Sequence, residues 1–146
     1  MQSQETLPQE EQNKKIMSNY FYVFIGGGLG AVCRYIVTTA IGMRFCVHFP
    51  IGTLAVNAVS CFLMGFIMGL LLPLAQRLHL LPEQLRLLLT VGFLGGFSTL
   101  SSFGMETLTL FRGGSHLLAG LNIIATMAVT LGTVYLGWQA AALMQK

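Results

Sequence analysis

The sequence predicts an all-α integral membrane protein with four transmembrane helices, the third of them broken mid-membrane, and three observations carry that reading. Hydrophobic residues fill 54% of the 146 positions and charged residues only 9%, against roughly 25% charged in an average soluble domain. The apolar residues gather in four runs, each long enough to cross a hydrocarbon layer of roughly 30 Å. One of these runs is crowded with Gly, Ser and Thr, which are poor material for an uninterrupted helix.

Met1 to Asn19 is polar, rich in Gln and Glu, and carries Lys14 and Lys15, which predicts a disordered tail ahead of a membrane domain spanning residues 20–146. Helices are expected at Tyr20 to Met43, Ile51 to Ala75, Leu87 to Phe111 and Leu117 to Met144. Pro8, Pro50, Pro73 and Pro82 all fall in the tail or near helix ends, where a missing N–H does least harm. A first apolar run of this length, followed by three more, does not read as a cleaved signal peptide. Lys14, Lys15, Arg77, Arg86 and Lys146 lie on the amino-terminal side of the spans and Arg44 and Arg112 on the other. That bias favours a cytoplasmic amino terminus but is small enough to leave insertion in both orientations open.

The excess of basic residues gathers into no basic face, so nucleic acid is not an expected partner. Cys33, Cys46 and Cys61 have no CxxC spacing and read as small packing residues. His48, His79 and His116 have no ligand partners in sequence and read as interfacial side chains. No Ser-His-Asp set, phosphate loop or carboxylate pair supports an enzyme.

GxxxG pairs at Gly26–Gly30, Gly65–Gly69 and Gly92–Gly96 allow helix backbones to approach closely where lipid gives no hydrophobic drive between them. The third run reads TVGFLGGFSTLSSFGME from Thr90 to Glu106. Freed carbonyls in lipid cost several kcal/mol each, so a break here is expected to face protein, an ion or a water-filled cavity.

Arg34 and Glu106 are the formal charges inside the spans, and each would cost about 3 kcal/mol or more if it faced lipid at mid-membrane. Arg34 is expected to anchor the first helix or to pair with Glu106. Because helices alternate direction, Asn57, Glu106 and Asn122 fall in the same half of the membrane, which suggests an aqueous vestibule. Asn122, Thr126 and Thr130 recur every four residues and form a polar stripe, readable as interhelical glue or as a pore lining. Phe103, beside Ser101 and Ser102, has a positive ring edge that an anion can use.

Three blocks, GGGLGAVCRY from Gly26, GTLAVNAVSCFLMG from Gly52 and GFLGGFSTLSSF from Gly92, together resemble the CrcB or Fluc family of fluoride channels over nearly all of the chain after the tail. The resemblance implies an antiparallel, dual-topology homodimer with two fluoride pores between subunits and a structural sodium ion at its centre. It implies that backbone carbonyls of Gly95 and Ser98 hold the sodium, while Asn57, Leu100, Ser102, Phe103, Glu106, Asn122, Thr126 and Thr130 line the fluoride path. It also implies passive conduction across a bacterial inner membrane that relieves fluoride toxicity, with lipid as the surrounding partner and no organic cofactor.

The chain departs from the family pattern where TTFST becomes Ser98, Thr99, Leu100, Ser101 and Ser102. Leu100 replaces a pore phenylalanine and supplies no aromatic edge, so a paralogous partner contributing that ring is one alternative. Ser60 stands in place of a customary Gly. The competing functions are a non-conducting channel subunit and a small proton-coupled multidrug exporter, for which Glu106 would be the membrane carboxylate.

Overall fold

The computed structural model describes residues 8–44, 49–78 and 83–145, with side chains from residue 71 to 78 excepted. Cys46, His48, His79 and Pro82 lie outside the described residues, as do the first seven positions of the tail. The described residues form helices joined by short non-helical segments, without strands, and four helices are long and apolar enough to cross a membrane.

Helix α1 runs Gln9–Arg44, α2 runs Ile51–Leu78, and α6 runs His116–Leu143. Between α2 and α6 the third span is composite. It starts as α3, Glu83–Arg86, widens into a π-helical turn over Leu87–Leu94, returns to α-helix in α4, Gly95–Phe97, and resumes as α5, Leu100–Arg112. The π pattern is visible where the Gly95 N–H reaches back five residues to the Thr90 carbonyl.

The first helix begins eleven residues earlier than the sequence suggested, so residues 9–19, read from composition as part of a polar tail, are helical. Pro8 supplies the first helical carbonyl, accepting from Glu11 and Gln12, and Glu10 and Glu11 sit in the first turn, where the helix dipole favours acidic groups. At 36 residues, α1 is about 54 Å long and overhangs the hydrocarbon layer. Its polar end is tied down by a 2.9 Å ion pair from Lys15 to Glu83 at the head of the third span.

Glycines decide which helices meet. On α2 and α6 a Cβ at Gly65 would land on the Val134 carbonyl oxygen and one at Gly137 on the Phe62 carbonyl oxygen, so these two backbones touch in both directions. On α1 a Cβ at Gly26 would land on the Leu88 carbonyl oxygen and one at Gly30 on that of Phe93, while Gly96 sits against Gly27. The α1 seam therefore holds the π turn and α4, whereas α2 and α6 form a second tight pair to which α5 attaches. The connection from α5 to α6 is a Schellman turn, with Gly114 at φ 78° and the Ser115 N–H donating to the Leu110 carbonyl at 2.9 Å.

Near its carboxyl end α2 contains Pro73, which has no N–H to give the Gly69 carbonyl four residues back. That carbonyl instead accepts the Gln145 side-chain amide at 2.7 Å.

Candidate functional site

The third span breaks at Ser98 and Thr99, whose backbones are extended (φ −71°, ψ 157° and φ −152°, ψ 111°). An unbroken helix would send the Thr99 N–H to the Gly95 carbonyl and the Ser102 N–H to the Ser98 carbonyl. Neither bond forms. The Thr99 N–H donates to Asn57 Oδ1 at 2.8 Å, and the Ser102 N–H donates to the Thr99 hydroxyl at 3.2 Å, which caps α5. The carbonyls of Gly95 and Ser98 thus lose their helical donors.

Asn57 completes the exchange by donating Nδ2 to the Thr99 carbonyl at 3.2 Å. Its side-chain amide acts as a substitute peptide group across from the break, and both residues are buried. The family resemblance counts Asn57 among the residues lining the fluoride path; within one chain its amide bonds the Thr99 backbone at the break. Thr99 was not singled out from sequence, although Thr is a preferred N-cap residue at the start of a helix.

One turn toward the amino end of α2, the Thr53 hydroxyl donates to Glu106 Oε1 at 2.5 Å. The other carboxyl oxygen, Oε2, is buried without a hydrogen-bond partner. These groups face a cavity of about 250 Å³ lined also by Ala31, Arg34, Tyr35, Thr38 and Ser102. Arg34 and Glu106 share this cavity but form no ion pair among the described residues, so the expected pairing is replaced by proximity. The Ser102 hydroxyl accepts from Thr99 Oγ1 at 3.0 Å, which links the cavity wall to the cap.

Phe103 lies on the adjacent face of α5 and lines a mainly apolar groove of about 580 Å³ with Gly104, Thr107, Phe111, Ile123 and Met127. Behind this groove Asn122 is only 1% exposed and donates to the Thr107 hydroxyl at 2.8 Å, which itself donates to the Phe103 carbonyl at 2.7 Å. Thr126 is buried, and Thr130 spends its hydroxyl on the Thr126 carbonyl at 2.6 Å. The polar stripe on α6 is therefore used partly as interhelical glue. Within one chain Ser102 and Glu106 lie on one face of α5 and Phe103 and Thr107 on the next.

Leu100, at the first position of α5, is 72% exposed. Helical periodicity places it on the Phe103, Gly104 and Thr107 face rather than in the subunit's own core. Gly95 is also exposed, whereas Gly96 faces α1. Among the described residues no three His, Cys, Asp or Glu side chains converge. Cys33 and Cys61 are free and half-buried, in keeping with small packing residues.

The family described as CrcB-like protein, Camphor Resistance (CrcB), matches residues 21–138. The chain is 42% identical to the fluoride-specific ion channel FluC of Shewanella sp. (strain ANA-3) over 123 residues, 84% of this chain and 95% of that protein. The same figures hold for the fluoride-specific ion channel FluC of Shewanella baltica (strain OS185). The corresponding protein of Pyrococcus abyssi (strain GE5 / Orsay) is 40% identical over 116 residues, 80% of this chain and 89% of its own length.

Proposed function

Because this chain belongs to the CrcB-like family, a class of ion channels and not of enzymes, we propose that it is the subunit of a passive, fluoride-selective channel. The observation that carries the reading is the broken third span, with a buried Asn57 standing in for the lost helical bonds at Thr99. A break held this firmly is a built feature of the fold. It brings an ordered cap, a hydroxyl cluster and an aromatic residue to the depth where a small anion must shed water.

In this reading fluoride exchanges part of its hydration shell for weak donors along α5 and α6. The Phe103 ring edge, the hydroxyls of Ser101 and Ser102, and the second amide N–H of Asn122 are the groups available, since the Thr107 O–H is spent on the Phe103 carbonyl. Asn57 serves by fixing the backbone from which Leu100 to Phe103 project. Arg34 sits across the polar cavity from Glu106 and raises the local concentration of anions at its mouth.

The carbonyls of Gly95 and Ser98 fit a structural sodium ion: they are hard oxygen donors, freed from helical bonding, and Gly95 lies on the exposed side of the subunit. Such an ion would supply positive charge to neutralise the carbonyl dipoles at the break. Two carbonyls from one chain do not complete a shell, so a second, antiparallel copy supplies the remainder. The exposed groove and Leu100 also face this partner. The functional unit is then a dual-topology homodimer in a bacterial inner membrane, letting fluoride leave the cytoplasm and reducing its toxicity.

The exposed position of Leu100 favours a second reading, in which the chain conducts only with a paralogue that brings an aromatic ring to this site. Fluoride efflux from sealed vesicles holding only this chain separates the two. Fluoride release with little chloride release supports the homomeric channel. No release, together with release from the Leu100→Phe variant, supports the paralogue, and no fluoride release from either overturns the channel assignment.

A further inference from the structure

The helical residues 9–19 lie before the start of the family match at residue 21, and they extend the seam on which the third span is seated. Gln12, Lys15, Asn19, Val23, Gly26 and Gly30 follow one face of α1 at helical spacing. The lower part of this face carries the π turn: Gly92 sits against Val23 and Gly26, and Gly30 against Phe93. The upper part reaches Glu83 through Lys15, eleven residues before Gly26 on the same face. The extension thus holds the first turn of the span whose break forms the candidate site.

Two opposing terms act on this upper seam. The Lys15–Glu83 pair holds it closed, but both side chains are about half exposed (52% and 43%), so the attraction is modest and weakened by salt. Against it, Asn19 Oδ1, on the same face of α1, is buried with no hydrogen-bond partner, and opening of this face would give that oxygen water. A weak ionic closure set against an unsatisfied buried carbonyl makes this upper seam the least firmly held part of the contact between α1 and the third span.

We propose that residues 9–19 form a strut that steadies the head of the third span, with the Lys15–Glu83 pair as a salt-sensitive latch. Releasing the latch loosens the π turn over Leu87–Leu94. This is separate from fluoride conduction, since it concerns how firmly the span is seated and not what passes beside it.

The test is backbone hydrogen exchange of Leu87–Leu94 in the full chain in lipid vesicles, comparing Lys15→Glu, Glu83→Lys and the double charge swap. Each single reversal should speed exchange in that segment by up to about fivefold, the double swap should restore it, and molar salt should shrink the differences. Asn19→Leu, which removes the unsatisfied oxygen, should slow exchange in the same segment. Unchanged exchange in the single reversals, or failure of the double swap to restore it, would overturn the latch. Because the readout is exchange and not ion flux, a failed latch and a failed channel assignment are told apart.

Discussion

Replacing Asn57 by Ala tests whether the break is held by this side chain. The substitution removes the acceptor for the Thr99 N–H at 2.8 Å and the donor to the Thr99 carbonyl at 3.2 Å. Asn57 is 6% exposed and Thr99 5%, so water does not take over either bond. Each buried backbone group left without a partner costs about 1–3 kcal/mol, giving a loss of roughly 2–6 kcal/mol for the pair. Asn57→Asp keeps the acceptor but turns an oxygen toward the Thr99 carbonyl, so it should be no better than Ala. Ser60→Ala, which removes a local bond to the Asn57 carbonyl, is the control and should cost less than about 1 kcal/mol. Reversible unfolding in mixed detergent micelles measures the loss, and hydrogen exchange at Leu100–Ser102 locates it. If Asn57→Ala abolished fluoride flux yet cost under about 1 kcal/mol with exchange unchanged, Asn57 would be a pore ligand and the backbone-substitute argument would be wrong.

Two further perturbations probe the packing. Gly30→Ala places a Cβ on the Phe93 carbonyl oxygen, a backbone atom that no rotamer change can move, and should cost at least about 1–3 kcal/mol, whereas Gly28→Ala points into open space and should be neutral or stabilising by up to about 1 kcal/mol; equal effects in an unfolding assay would contradict the seam. Gln145→Ala should cost about 1 kcal/mol by orphaning the Gly69 carbonyl, and this cost should vanish in a Pro73→Ala background, where residue 73 regains an N–H; a double-mutant cycle without coupling would reject that account.

Much of this architecture was legible in the residues. Hydropathy fixed four spans, with the start of α2 at Ile51 and the ends of the others close to those observed, because apolar length is the strongest constraint a membrane imposes. The third-span break was legible because Gly, Ser and Thr crowd where helix propensity is poor and side chains can bond backbone. The overhang of α1 was missed because polar composition outweighed the start signal of Pro8 followed by Glu10 and Glu11. The π turn leaves no period of its own in an apolar run. Partner choice was the least legible: Asn57 with Thr99, Thr53 with Glu106 and Gln145 with Gly69 are 42, 53 and 76 residues apart. Those pairings follow from helix register, which glycine contacts set and hydropathy does not.

The positions of Thr53 and Asn57, one helical turn apart on α2, have a mechanical consequence. They grip α5 at Glu106 and at Thr99, two points seven residues apart on the third span, so α5 cannot roll about its axis without releasing both. Since α2 is itself interlocked with α6, the second half of the third span is fixed to that pair, while the π turn and α4 are seated on α1. The extended pair Ser98–Thr99 joins the two, so any sliding of one against the other would be registered first in the direction of the Gly95 and Ser98 carbonyls.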